Sequence, residues 1–221
     1  MSDRTRLGAE ARRELIVSAA VRLFAERGFH GVSLDEIAAE AGVTKPVLYD
    51  HAVSKIDLYS GLLEREHDEL VAYVAEHVEG GTVEERATSA LRTLFDWAQD
   101  RPCSWRLLFD DDVTGDPHVA SLHAAVRMRV NLEVAVRLLA ATPAESRDPL
   151  EVEMVGAVVG GAARSLVRWW CDHPGVPKER VVEAAAGVVS HGLRGRGPGR
   201  ARRRHRAAPV DRVERDAGWE P

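Results

Sequence analysis

Apolar residues recur at helical spacing along most of the chain, and polar or helix-breaking residues divide them into about nine runs. From Ala11 to Arg27, the residues Leu15, Ile16, Ala19, Ala20, Leu23 and Phe24 share one face, and Gly28 ends the run. Ser33, with Glu36 three residues on, carries a capping-box signal for a second helix from Leu34 to Ala41. Gly42 ends it, and Thr44 caps a third, short helix with Pro46 in its first turn. Ser54 starts a long fourth helix reaching about Val78, and Thr82 a fifth reaching Asp100. Pro102, Asp116-Pro117, Pro149 and Pro177 open the sixth to ninth helices, the last ending near Leu193.

This pattern predicts an all-α fold. Residues 1–10 read as a flexible basic arm and residues 11–53 as a three-helix unit. Residues 54–193 read as a larger helical domain, and residues 194–221 as a disordered Arg-rich tail. Apolar residues make up 45% of the chain and charged residues 29%, the balance of a globular protein. The two cysteines, Cys103 and Cys171, form no paired motif, as in a reduced compartment. The N-terminus lacks an apolar signal segment, and the longest apolar run, Met154 to Ala163, is half the ~20 residues a membrane span needs. A cytoplasmic protein without a membrane partner is expected.

Net charge is −5, which by itself disfavours a nucleic-acid partner. The distribution qualifies that. The tail from Arg194 holds nine arginines against four acids, leaving −10 on residues 1–193. Two of the three lysines, Lys45 and Lys55, fall in or beside the third helix. An acidic body with local basic patches still binds DNA if those patches face the phosphates.

The second and third helices, joined by Ala41-Gly42-Val43-Thr44, have the spacing of a helix-turn-helix, with Ile37, Val43 and Leu48 filling the space between them. Such a pair also occurs as a plain αα-hairpin. Thr44, Lys45, Tyr49 and His51 on the third helix all donate hydrogen bonds, Lys55 follows, and Arg4 and Arg6 lie on an arm suited to the minor groove or backbone. The stretch from Arg12 to Glu64, with its AA-x-x-LFAERGF, IAAEAGV, K-P-x-LY-x-H and SK-x-x-L segments, resembles the N-terminal signature of TetR-family regulators.

That resemblance implies roles by position. Tyr49 and His51 would face the DNA backbone and nearby base edges, Lys55 a phosphate, and Lys45 a base edge. A lysine there favours the O6 and N7 acceptors of guanine. Ser33 would bond a phosphate, alongside its capping role. Val47 stands where the family often has Ser or Thr, and offers contact to a thymine methyl. Asp50 puts an acid on the reading surface, which repels phosphate or accepts from a cytosine amino group. Ala52 replaces a larger apolar residue, predicting looser packing beneath.

The resemblance also implies a ligand-binding and dimerisation body and an unknown small-molecule effector. Phe95, Trp105, Phe109 and Met154 are candidate pocket linings, with His123 and Arg127 as polar anchors, although each also suits an ordinary core or surface position. Gly156, Gly160 and Ala163 on the eighth helix, and Ala184, Val188 and His191 on the ninth, are candidates for a homodimer interface or for intrachain packing. No G-x-S-x-G, P-loop, H-E-x-x-H or dinucleotide-binding glycine pattern occurs. The chain is therefore read as a non-enzyme without cofactor or metal. The expected function is a DNA-binding transcriptional regulator, a repressor released from its double-stranded operator by ligand. The alternative is a helical protein-interaction module with a degenerate helix-turn-helix.

Overall fold

The computed structural model describes residues 8–110, 116–141 and 148–194. Among these, the regular structure is helical: α1 (Ala9–Arg27), α2 (Leu34–Glu40), α3 (Lys45–Tyr49), α4 (Lys55–His77), α5 (Val83–Asp100), α6 (Pro102–Phe109), α7 (Pro117–Leu138), α8 (Pro149–Cys171) and α9 (Lys178–Arg194). A single 3-10 turn, Leu139–Ala141, follows α7.

Side-chain caps set most of the helix starts. Ser33 with Glu36, and Thr82 with Glu85, form complete capping boxes on α2 and α5. Ser54 accepts from the Asp57 N–H at the start of α4. Asp116 and Asp148 do the same for α7 and α8, each directly before a proline that loses no bond in a first turn. Thr44 is the N-cap of α3 but makes no side-chain cap bond. The next residue but one is Pro46, which has no N–H, so one of the two usual cap donors is missing.

Other boundaries differ slightly from the sequence pattern. Helix α1 begins at Ala9, so residues 9 and 10 belong to it and not to the arm. Helix α2 ends at Glu40 with Ala41 as its C-cap, and α9 begins at Lys178. Arg4, Arg6, Asp111, Asp112 and the tail beyond Arg194 lie outside the described residues.

One hydrophobic core runs through the chain. Ile16, Ala20, Leu23 and Phe24 of α1 meet Ile37, Ala38 and Leu48 of the α2–α3 pair, and the same cluster continues through Leu62, Leu63 and Leu70 of α4 into the body. There, α7 packs along α8, α5 along α9, and α4 along α7. Helix α1 also rests on α6, so the N-terminal unit sits directly against the body. Helix α9 is tied to α5 at its start: the Lys178 ammonium bonds Asp96 and Gln99, and Arg92 pairs with Glu179.

The α7–α8 contact explains two glycines. A Cβ on Gly156 would collide with the Asn131 carbonyl oxygen, and one on Gly160 with Asn131 Oδ1. At Gly156 the neighbour is backbone, and only glycine lets the two helices approach so closely there; at Gly160 it is the Asn131 side chain. Gly156 and Gly160 lie against Asn131 of α7, and both they and Ala163 are buried within one chain. The sequence offered both an interchain and an intrachain role for them, and within one chain Gly156 and Gly160 make the intrachain contact. The outward face of α8 is a different stripe. It carries Leu150, Met154, Val158 and Trp169, with Met154 48% and Val158 70% exposed.

Candidate nucleic-acid interface

The turn between α2 and α3 is made by Gly42, whose φ of 65° lies in the left-handed region that side chains disfavour. The Val43 N–H closes it onto the Ala38 carbonyl. Leu48, 1% exposed, anchors α3 to the core, and Val47 is half-buried beside it. Thr44, Lys45, Tyr49, Asp50 and His51 all remain exposed. The third helix therefore has one buried anchor and a polar outer surface, the form a reading helix needs. Part of Val47 is spent on packing, which reduces what it can offer a thymine methyl. Ala52 is buried despite its size.

A groove of about 550 Å³ separates the start of α2 from Tyr49 and Lys55, and Ser33 and His30 also line it. Ser33 is committed to the capping box: its hydroxyl accepts from Glu36 N–H and donates to Glu36 Oε2. These bonds from the Ser33 N–H and hydroxyl, with a further one from Arg27, hold the Glu36 carboxyl below the usual carboxylate range. Lys55 donates to the Phe29 and Val32 carbonyls at 2.9 and 3.0 Å, and its ammonium sits 4.4 Å from the Phe29 ring centre. An ammonium has three donors, so one is left for an anion in the groove. Lys45 Nζ lies 2.5 Å from Asp35 Oδ2.

The unit joins the body through an aromatic cluster that the sequence reading missed. The Tyr59 ring of α4 lies 4.9 and 5.0 Å from those of Phe24 and Phe29, and its hydroxyl is 2.8 Å from His123 Nε2 on α7. The placement of Tyr59 four residues after Lys55, on the buried side of α4, was the available signal. His30 also reaches Asp116 across the same boundary, at 3.7 Å.

Of the residues expected to line a pocket, Phe95, Trp105, Phe109 and His123 are buried. Trp105 and Phe109 are buried in ring contact at 4.5 Å, and the Arg164 guanidinium lies 5.9 Å from the Phe109 ring while bonding Asn131. Phe95 is buried elsewhere, against Trp170. His123 is occupied by Tyr59 and the Leu108 carbonyl. Arg127 is half-buried on α7. Met154 departs from the expectation, because its α8 face points away from α7 and the core. Of the expected interface residues, Ala184, Val188 and His191 are exposed on one face of α9, with Val188 76% exposed. Among the described residues, no three His, Cys, Asp or Glu side chains gather as a metal site, and no helix is long and apolar enough to cross a membrane.

Comparison with known proteins agrees with this geometry. The family described as "Bacterial regulatory proteins, tetR family" matches residues 16–62, from the first buried residue of α1 into α4. The transcriptional activator FasR of Mycolicibacterium smegmatis is 38% identical over 117 residues, 52% of this chain and 53% of that protein. The chain thus spans about half the length of that relative, and less of other curated regulators it matches. The transcriptional repressor KstR2 of Rhodococcus jostii is 27% identical over 84% of this chain and 93% of its own. A TetR-like regulator from Rhodococcus sp. RHA1 superposes with a TM-score of 0.67 at 25% identity, covering 86% of this chain and all of the other. FadR of Bacillus subtilis, solved with stearoyl-CoA, shares the fold at a TM-score of 0.68 and 17% identity, over 81% of this chain and 98% of its own. The matched signature and the shared fold lead to one statement: residues 16–62 carry the N-terminal signature of the tetR family of bacterial regulatory proteins, and the chain is similar in fold to TetR-like regulators over most of its length.

Proposed function

We propose that the protein is a sequence-specific DNA-binding transcriptional regulator, acting in the cytoplasm as a homodimer whose hold on its operator is switched by a small molecule. The observation that carries this reading is the polar outer surface of α3 over a buried Leu48, beside a groove holding Tyr49 and Lys55. Residues 11–53 form the DNA-reading head and residues 54–193 the sensing and dimerising body. A single short reading helix grips DNA weakly. Two heads about 34–36 Å apart read successive major grooves on one face of the duplex. The apolar stripe of α8 and the Ala184, Val188 and His191 face of α9 supply the surface for that pairing.

Repression is the direction proposed, since KstR2, a relative matched over 84% of this chain, is a repressor, although FasR, matched over 52% at higher identity, is an activator. The effector acts by preferring a body conformation that separates the heads wrongly. A hundredfold loss of operator affinity requires about 2.7 kcal/mol of such preference. An acyl thioester is the first class to try, given the stearoyl-CoA bound by the Bacillus subtilis neighbour. Direct titration of the DNA beside the protein's own gene, over a salt series, tests the reading. Binding far tighter than to random duplex, weakening steeply with salt, is expected. Equal, salt-indifferent binding to both would leave a helical interaction module instead.

A further inference from the structure

The proposed base-reading lysine is not a free cation. Lys45 Nζ and Asp35 Oδ2 are 2.5 Å apart, and both side chains are mostly exposed, at 62% and 56%. Asp35 belongs to the first turn of the bracing helix α2 and Lys45 to the first turn of α3, so the pair bridges the two helices at the reading surface. Asp35 also lines the groove that holds Ser33, Tyr49 and Lys55.

We propose that Asp35 is a specificity-determining residue, one that makes Lys45 discriminate between a base edge and a phosphate. The role rests on the DNA-binding reading above. An ammonium has three donors. With one donor given to Asp35, two remain for the O6 and N7 acceptors of a guanine, which are neutral and tolerate a carboxylate close by. A phosphate in the same place brings a second negative charge against Asp35, and like charges sharing one ammonium repel. To grip phosphate, Lys45 must leave Asp35. Sequence-independent binding is therefore weakened while base readout is kept. Selectivity arises from a repulsive element as well as an attractive one.

The test uses the full chain. Duplexes are enriched from a random library on the unaltered protein, and affinity for the enriched and the random duplex is then measured for each variant. Asp35→Asn should bind random duplex about fivefold more tightly, the upper range for releasing an exposed ion pair. Its logarithmic salt dependence should steepen by about 0.9, the value for one more phosphate contact. The ratio of enriched to random affinity should fall. Asp35→Glu should keep that ratio. In a Lys45→Ala background, Asp35→Asn should leave the ratio unmoved, because only the general repulsion of Asp35 remains to be lost. Asp35→Ser, a second neutral variant, covers a folding failure of Asp35→Asn. An unchanged ratio and salt slope in the folded neutral variants would overturn the role of Asp35 alone. If the unaltered protein enriches no sequence, the DNA-binding reading falls and this role with it.

Discussion

The Tyr59 hydroxyl donates to His123 Nε2 across 2.8 Å, linking the helix that follows the reading unit to the body. The direction follows from the other ring nitrogen. His123 Nδ1 faces the Leu108 carbonyl, which can only accept, so Nδ1 carries the hydrogen and Nε2 is the acceptor. The Tyr59 ring also packs on Phe24 and Phe29, so one side chain touches both the N-terminal unit and α7. Tyr59→Phe keeps the ring but removes the hydroxyl's bond to His123, at about 1 kcal/mol. Thermal unfolding should show a lower midpoint. In DNA titrations, affinity without effector should hold while the loss caused by effector shrinks. An unchanged midpoint would remove this link from the account.

The α7–α8 glycines separate folding from pairing. Gly156→Ala forces a methyl against a backbone carbonyl, which cannot move aside as a flexible side chain would. Overpacking of this kind costs about 1–3 kcal/mol. Denaturant melts should therefore show Gly156→Ala less stable whether or not the chain is paired. A variant as stable as the parent would argue for slack between α7 and α8.

Charge placed on the outward stripe should act on assembly instead. Val158→Glu and Val188→Glu alter exposed side chains, so the single chain should fold as before. Sedimentation should then report monomers where the unaltered protein is dimeric, with operator affinity lost in parallel. Dimers that survive both changes would place the partner surface elsewhere.

Glu66 gives a pH signature. Burial raises its carboxyl above the ordinary 4.5, only partly offset by a hydrogen bond from Ser104. The folded state thus binds the proton more tightly than the unfolded chain. This contribution to stability is full below 4.5 and is lost as the pH rises through the folded value. Glu66→Gln, which stays uncharged, should melt at a higher temperature than the parent at pH 7, and the gap should close toward pH 4.5. A gap that is independent of pH would contradict the buried-carboxyl assignment.

Local signals carried most of the fold. Ser33 with Glu36, Gly28, Gly42, Ser54 and Asp116-Pro117 act within one turn of themselves, so the sequence revealed where helices start and stop. The polar outer surface of α3 was legible for the same reason, since Leu48 is its buried anchor at a fixed spacing. Pairings between distant helices were not legible. The sequence could not decide whether Gly156 and Gly160 meet a second chain or α7, because small residues serve both contacts. Met154 looked like pocket lining, but its side of α8 faces outward. Tyr59 and His123 are 64 residues apart, and nothing local joins them. The Asp35–Lys45 pair lies between these cases, crossing a single turn.

Hydroxyl-radical footprinting of the full chain on the DNA beside its own gene is the most direct test of the central claim. Two protected patches are predicted on one face of the duplex, about 34–36 Å apart, set by two reading helices in successive major grooves. Lys45→Ala should weaken both patches together. Uniform protection without that spacing, or none at concentrations where random duplex is also bound, would contradict a paired helix-turn-helix regulator.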